Sequence, residues 1–145
     1  MKVILITAIG GDIAQGVAKI IREMGKDYHL IGVDMHDEHG GSLFVDSFYV
    51  VPPASDAMYV GFIKSIVENE SVDIIIPMAE PELAVLDKLQ NKIKKVDWIT
   101  AGRKVISTGL DKLITAQTLA KLGLQVPWTT LVKDGAPENL PCILK

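Results

Sequence analysis

The chain has 145 residues, of which 48% are hydrophobic and 23% charged, and its formal net charge is −3. This composition excludes a disordered chain and predicts a globular protein with a buried core. Because binding to phosphate backbones requires clustered lysine and arginine, the charge argues against a nucleic-acid partner. No apolar run is long enough to span a bilayer, which argues against a membrane partner.

The single cysteine, Cys142, excludes an internal disulfide, and its apolar neighbours predict a buried thiol. The apolar run that follows Lys2 is too short for the hydrophobic region of a signal peptide. Together these features predict a cytoplasmic protein.

In the first hundred residues, apolar runs of strand length alternate with stretches of helical period. The predicted strands are residues 2–7, 29–34, 48–51, 72–77 and 98–101. The first predicted helix starts at the capping pair Asp12 and Gln15. Its predicted apolar face consists of Ile13, Val17, Ile20, Ile21 and Met24. Further helices are predicted over 59–67 and 83–93. This order, without hairpin signals, predicts an α/β fold with a parallel sheet, helices on both faces, and ligands at the carboxyl ends of the strands.

A different pattern begins after residue 101. A helix is predicted over 111–123, where an aspartate caps its start and a glycine ends it. A strand is predicted over 128–133, residues 141–145 are predicted to be its partner strand, and a hairpin could join the two.

The segment TAIGGDIAQG joins the first strand to the first helix through Gly10 and Gly11. Free N–H groups at such a helix start favour an anion. The dinucleotide fingerprint is incomplete because Asp12 stands where it needs glycine, and the P-loop is incomplete because Val17-Ala18 replaces its Lys-Ser/Thr pair. Two interpretations therefore stay open, a ligand site and a tight turn that needs glycine only for its backbone.

Acidic residues follow two of the predicted strands. Asp34 stands where a dinucleotide fold binds ribose hydroxyls, and its other interpretation is a carboxylate that accepts loop N–H groups. Glu80 and Glu82 border the expected cleft, where a carboxylate can hold a cationic group or complement a helix start. The histidines and acids of residues 35–41 are predicted to be solvated, and no metal site is predicted.

The succession TAIGGDIAQGVAKIIR, IGVDM, FYVVPPASD, DIIIPMAEPEL, DK…LGLQVPWT and LPCILK resembles the N-terminal part of ATP-grasp proteins, and carbamoyl-phosphate-synthase-like members in particular. The resemblance covers the whole chain. It implies a Rossmann-like pre-ATP-grasp domain over 1–101, a helical connection over 102–126 and the first strands of a truncated ATP-grasp domain over 127–145.

The same resemblance implies site residues and cofactors. Lys112 and Lys145 match basic residues that contact the phosphates of ATP in the family. The resemblance also implies that the acceptor substrate lies beside Gly10, Gly11, Glu80 and Glu82. ATP and Mg²⁺ are the cofactors implied for a full-length parent, and the 145 residues alone are expected to bind neither tightly.

LPCILK is predicted to be a cut, because the lid, the Mg²⁺ carboxylates and the catalytic Arg or Asn of the family come later. The implied parent is an ATP-dependent carboxylate–amine ligase or carbamoyl-phosphate-synthase-like enzyme, and the chain alone is predicted to be inactive. Its implied partners are the remainder of its own ATP-grasp domain, a carboxylate or bicarbonate, and an amine or ammonia donor. Two alternatives stay open: a nicotinamide-dinucleotide-binding module, and a non-catalytic interaction module of flavodoxin-like architecture.

Overall fold

The computed structural model describes residues 1–25, 27–90, 93, 95–136 and 140–143. The chain forms two compact units, Met1–Ala101 and Gly102–Lys145. Among the described residues, no helix combines the length and the apolar character needed to cross a membrane.

The first unit is built on a five-stranded sheet. Its strands are β1 (Lys2–Thr7), β2 (Tyr28–Asp34), β3 (Ser47–Val50), β4 (Ile74–Ile76) and β5 (Asp97–Trp98). Their order is β3-β2-β1-β4-β5, and every neighbouring pair is parallel. This confirms the predicted parallel α/β fold. It also shows that the flavodoxin-like architecture is wrong, because that fold orders its strands 2-1-3-4-5.

The strand order fixes where a ligand site is expected. The chain steps from β1 to β2 to β3 on one side and then crosses to β4 on the other. In such a sheet, ligands bind outside the carboxyl ends of the strands at the point where the order reverses. Here that switch point lies between the carboxyl ends of β1 and β4.

Three helices cover the sheet of the first unit: α1 (Asp12–Glu23), α2 (Tyr59–Asn69) and α3 (Glu80–Leu86). On the α1 face, Ile4 and Ile6 of β1 belong to the same core cluster as the alanines of the helix. On the other face, Leu5 packs in a cluster with residues of α2 and α3. Because β1 is buried on both faces, its sequence is a continuous apolar run rather than an alternating one.

The predicted apolar face of α1 is confirmed for Ile21, which packs against the core, but is wrong for Ile13, Ile20 and Met24, which are exposed. The residues that it buries are Ala14 and Ala18, whereas Ile13 is 77% exposed and Ile20 is 60% exposed. Both stripes have helical period, and the small alanine side chains let the helix backbone approach the sheet closely. The predicted capping pair is wrong as well, because the N-cap is Gly11 and no side chain caps it.

Other boundaries differ modestly from the predictions. The structure adds a 3-10 helix, Gly40–Phe44, within the predicted loop between β2 and β3. The third helix ends at Leu86 rather than at 93, although Leu89 and Ile93 are buried as their apolar character suggests. β5 is shorter than predicted and starts one residue earlier.

The second unit contains α4 (Arg103–Leu110), α5 (Lys112–Lys121) and a 3-10 helix, Val132–Asp134. The predicted aspartate cap is confirmed, because Asp111 accepts a hydrogen bond from the N–H of Ile114 at 2.9 Å. No pattern predicted α4.

The predicted strand over 128–133 is wrong, because residues 128–131 have no regular structure and the 3-10 helix follows. A strand needs a hydrogen-bonded neighbour, and the described part of 141–145, residues 141–143, is not a strand either. Residues 144–145 lie outside the described residues. Cys142 is exposed, so the predicted buried thiol is also wrong.

Candidate functional site

The turn from β1 to α1 is tight and runs along the carboxyl edge of the sheet. Ala8 adopts a φ of 49°, and its carbonyl accepts a hydrogen bond from the N–H of Gly11 at 3.0 Å. Ile9 is fully buried, and its N–H donates to the carbonyl of Val33 at 3.1 Å. The turn is therefore anchored to β2 before α1 begins.

Asp34, the last residue of β2, holds this turn through its carboxylate. Oδ2 accepts a hydrogen bond from the N–H of Gly10 at 2.8 Å, and Oδ1 accepts one from the N–H of His36 at 3.1 Å. The side chain is buried, with 9% exposed. These bonds match the second interpretation made from the sequence, in which Asp34 is a carboxylate that accepts loop N–H groups. Both oxygens that a ribose would need already accept backbone N–H groups.

The loop after β2 folds over the glycine turn. The Nδ1 atom of His39 accepts a hydrogen bond from the N–H of Gly41 at 3.0 Å, and the ring meets Phe48 edge-on at 5.1 Å between centroids. A Cβ added at Gly10 would lie 2.8 Å from Cδ2 of His39, and one added at Gly41 would lie 2.2 Å from the carbonyl oxygen of Ile9. Both glycines are thus needed where two loops touch.

Glu82 lies inside the switch point rather than on its surface. It is 7% exposed, and its Oε1 accepts a hydrogen bond from the hydroxyl of Tyr59 at 2.9 Å. Its Oε2 accepts a hydrogen bond from the hydroxyl of Thr7. Thr7 Oγ1 in turn accepts the N–H of Met78 at 3.1 Å. The three side chains of Thr7, Tyr59 and Glu82, called here the switch-point brace, therefore connect the end of β1 to α2, to the β4–α3 turn and to α3.

The brace perturbs the ionisation of its members. Burial raises the pKa of Glu82, and hydrogen bonds from Thr7, from Tyr59 and from the N–H of Ala79 offset this only in part. The nearby charge of Asp34 acts in the same direction as burial. Burial also raises the pKa of Tyr59, and the adjacent Glu82 carboxylate adds to the effect. A phenol next to a carboxylate stays protonated, so Tyr59 is a fixed donor.

The structure brings together four of the residues named from the sequence. Gly10, Gly11, Glu80 and Glu82 all lie at the carboxyl edge near the switch point. Glu80 is exposed at the first position of α3, whereas the carboxylate of Glu82 faces the protein interior.

The two predicted nucleotide contacts belong to the second unit. Lys112 is exposed at the first position of α5, and its ammonium donates to the carbonyl of Gly109 at 3.0 Å. Lys145 lies outside the described residues. The contact of both lysines with a nucleotide stays a prediction.

Sequence reasoning missed Thr7, Tyr59 and His39. Thr7 carries a usable signal, because it is the one polar side chain that ends the apolar run of β1. Tyr59 carries none, because its partner Glu82 lies 23 positions away in the chain. His39 belongs to the loop predicted to be solvated, whereas its ring is half-buried and contacts Phe48. Among the described residues, no group of three or more His, Cys, Asp or Glu side chains is arranged to hold a metal ion.

The sequence profile of the PylC-like N-terminal domain family matches residues 4–101, which is more than half of the chain. This chain belongs to that family. No curated protein sequence gives a significant match.

Solved structures share the fold over most of the chain. L-amino acid ligase from Bacillus licheniformis has a TM-score of 0.71 at 14% identity, over 97% of this chain and 36% of its own. N5-carboxyaminoimidazole ribonucleotide synthetase from Thermotoga maritima has a TM-score of 0.66 at 20% identity, over 92% of this chain and 35% of its own. N5-carboxyaminoimidazole synthetase from Staphylococcus aureus, solved with ADP, has a TM-score of 0.63 at 20% identity, over 84% of this chain and 30% of its own.

These neighbours are ATP-grasp ligases, and with the family match they confirm the resemblance to the N-terminal part of ATP-grasp proteins. At such identities the likeness shows the fold. The chain spans about a third of the length of each of these proteins.

Proposed function

We propose that the chain forms the acceptor-substrate side, and the first nucleotide contacts, of an ATP-dependent carboxylate–amine ligase or a carbamoyl-phosphate-synthase-like enzyme. The observation that carries the proposal is the family match over residues 4–101, on a fold shared with ATP-grasp ligases. The expected reaction transfers a phosphoryl group from ATP to a carboxylate or bicarbonate, after which an amine or ammonia displaces phosphate. Such chemistry depends on positioning and on neutralising charge.

The geometry of the carboxyl edge supports a division of roles among the named residues. The turn at Gly10 and Gly11 and the exposed carboxylate of Glu80 would border the acceptor. Glu82 would act indirectly, because its carboxylate holds Thr7 and Tyr59 and so fixes the loops on either side of the switch point. The acceptor would then meet backbone and Glu80 rather than the buried acid.

The nucleotide contacts are proposed for the second unit. Lys112 and Lys145 would neutralise the phosphates of ATP, with Mg²⁺ bound by carboxylates of segments that this chain does not share with its longer relatives. We expect the 145 residues alone to turn over no ATP. The remainder of an ATP-grasp domain would also cover the apolar side chains that the second unit exposes, such as Leu122 at 71% and Val132 at 71%.

The cytoplasm is the compartment proposed for this protein.

The first test is the reading frame of the source gene past the codon for Lys145. We expect it to continue for one or two domains of about 150–250 residues each, with a glycine-rich loop and paired acidic residues. A stop codon at that position would overturn the proposal that the chain is part of a ligase.

The second test assays the encoded protein for ADP release that depends on a carboxylate and an amine. Lys112→Gln should raise the KM for ATP by roughly 10-fold or more, because a hydrogen bond to a charged group contributes about 1.5–3 kcal/mol. Lys104→Gln is the matched control, an exposed lysine on the neighbouring helix α4, and should change KM less than about twofold. Equal effects of the two substitutions would remove Lys112 from the nucleotide site.

The nicotinamide alternative is less well supported, because Asp12 stands where the dinucleotide fingerprint needs glycine. It predicts a saturable rise in NADH fluorescence that Asp34→Ala abolishes. No binding at millimolar NADH would remove it. The remaining alternative is an interaction module without catalysis, which a stop codon after Lys145 would favour.

A further inference from the structure

A concave surface lies at the amino edge of the sheet, whereas the candidate site lies at the carboxyl edge. It is formed by the end of α2, the turn into β4 and the segment before β5. We call it the amino-edge groove, and its main lining residues are Lys64, Val67, Ser71, Val72, Lys95 and Val96. The proposed ligase function does not use this surface, so a ligand bound in the groove would be independent of that function.

Of the described residues that line the amino-edge groove, Val67, Val72, Ile93 and Val96 are apolar, and the other five are polar or charged. Val67 and Val72 are each 5% exposed, and Ile93, which also lines the groove, is 8% exposed. All three belong to the larger core cluster of the first unit. An apolar ligand portion would therefore meet a preformed surface rather than mobile side chains.

Two residues on the groove have a left-handed backbone that favours glycine. Ser71 has a φ of 52° and Lys95 a φ of 72°. Ser71 follows the end of α2, where the N–H of Val72 donates to the carbonyl of Val67 at 3.1 Å, and glycine is the usual residue in such a turn. The chain accepts a backbone cost at both positions and keeps a polar side chain beside the groove. Side chains held in such a conformation are a reason to look for a function.

Among the described residues around the groove, the two acids are paired with lysines other than Lys95. Glu68 pairs with Lys64 at 3.6 Å, and Asp73 pairs with Lys2 at 3.1 Å. Within the described residues, no ion pair involves Lys95. The acids that line the groove are thus already paired, whereas no described acid pairs with Lys95.

We propose that the amino-edge groove binds a small amphipathic carboxylate. Its alkyl portion would lie on Val67 and Val72, and its carboxylate would accept hydrogen bonds from the Lys95 ammonium and the Ser71 hydroxyl. The apolar residues of the lining call for a hydrocarbon portion, and the ammonium of Lys95, for which the described residues provide no ion pair, calls for an anion.

Octanoate is the probe for an NMR titration of the whole chain. We expect saturable shifts at the backbone amides of Val67, Ser71, Val72 and Val96. Acetate, which lacks the alkyl chain, and octanol, which lacks the charge, should each bind at least about tenfold more weakly, the equivalent of roughly 1.4 kcal/mol. Shifts that do not saturate, that lie elsewhere, or that octanol reproduces at equal affinity would overturn the proposal.

Lys95→Gln should weaken octanoate binding at least about fivefold, because it removes the charge. The control is Lys19→Gln on α1, which removes the charge of an exposed lysine outside the groove. This control should leave the affinity unchanged.

Lys95→Gly separates binding from folding. It relieves the left-handed backbone, so the melting temperature should rise, while octanoate affinity should fall as in Lys95→Gln. A residue with a purely structural role would not show these opposite changes. Octanoate affinity equal to that of the unaltered chain in both Lys95 variants would overturn the proposal.

Discussion

Replacing Gly10 by alanine tests whether the glycine turn serves internal packing. The added Cβ would lie 2.8 Å from Cδ2 of His39 and 2.9 Å from Oδ2 of Asp34. Carbon atoms normally meet at about 3.5–4.0 Å, so the His39 ring must withdraw by roughly 0.7–1.2 Å. The His39 ring cannot do so without disturbing its 3.0 Å hydrogen bond from Gly41. Overpacking costs about 1–3 kcal/mol and a weakened hydrogen bond about 0.5–1.5 kcal/mol. We therefore expect Gly10→Ala to lower the free energy of unfolding by about 2–4 kcal/mol.

The assay is urea unfolding followed by circular dichroism, with Gly16→Ala as the matched control. Gly16 lies within α1, and an added Cβ meets nothing within 4 Å. That change should stabilise the protein by about 0.5–1 kcal/mol, because alanine is the better helix former. If Gly10→Ala stays within about 0.5 kcal/mol of the unaltered chain, the packing argument is refuted, and the turn is then better explained as a ligand site.

Much of the fold could be predicted because its signals are local. The run from Lys2 to Thr7 was predicted as β1 to the residue, since a strand buried on both faces must be apolar throughout. Aspartate at position 111 likewise marked the start of α5, because its cap requires only a short polar side chain before the helix.

The failures have a common physical cause, which is dependence on tertiary partners. Helix α1 has two apolar stripes, and nothing local says that the small side chains of Ala14 and Ala18 face the sheet. The apolar residues of 128–133 have strand character but no described strand beside them. Propensity alone does not form a sheet.

The candidate site was predictable in position but not in its contacts. The alternation of strands and helices predicted a site at the carboxyl ends of the strands, whereas the strand order that makes β1 and β4 neighbours is known only from the structure. Which acid faces inward depends on long-range contacts, because Glu82 meets Thr7 across 75 positions of the chain. For Asp34 the sequence allowed two interpretations, and the bonds from Gly10 and His36 show that its carboxylate accepts loop N–H groups.

Three further predictions concern the buried acid and one surface ion pair. Tyr59→Phe removes a donor to a buried carboxylate and should cost about 1–3 kcal/mol in the free energy of unfolding. Tyr49→Phe, at a partly buried tyrosine, should cost less, and an equal cost would contradict the role of burial. Arg22→Gln breaks a 2.6 Å pair with Asp46 whose side chains are each 37% exposed, so the loss should be below about 1 kcal/mol and should shrink in 1 M salt. A loss that salt does not alter would show that the pair acts through packing. Glu82→Gln tests the sign of a pH dependence. Burial raises the pKa of Glu82 above its ordinary value of 4.5, so the folded state holds this proton more tightly than the unfolded state does. The contribution of Glu82 to stability is therefore largest below pH 4.5 and is lost as the pH rises through the folded pKa. The free energy of unfolding of the unaltered chain, minus that of Glu82→Gln, should decrease from acidic to neutral pH in a series of urea titrations. A difference that grows toward neutral pH would mean that hydrogen bonds outweigh burial, and that the brace stabilises the ionised acid.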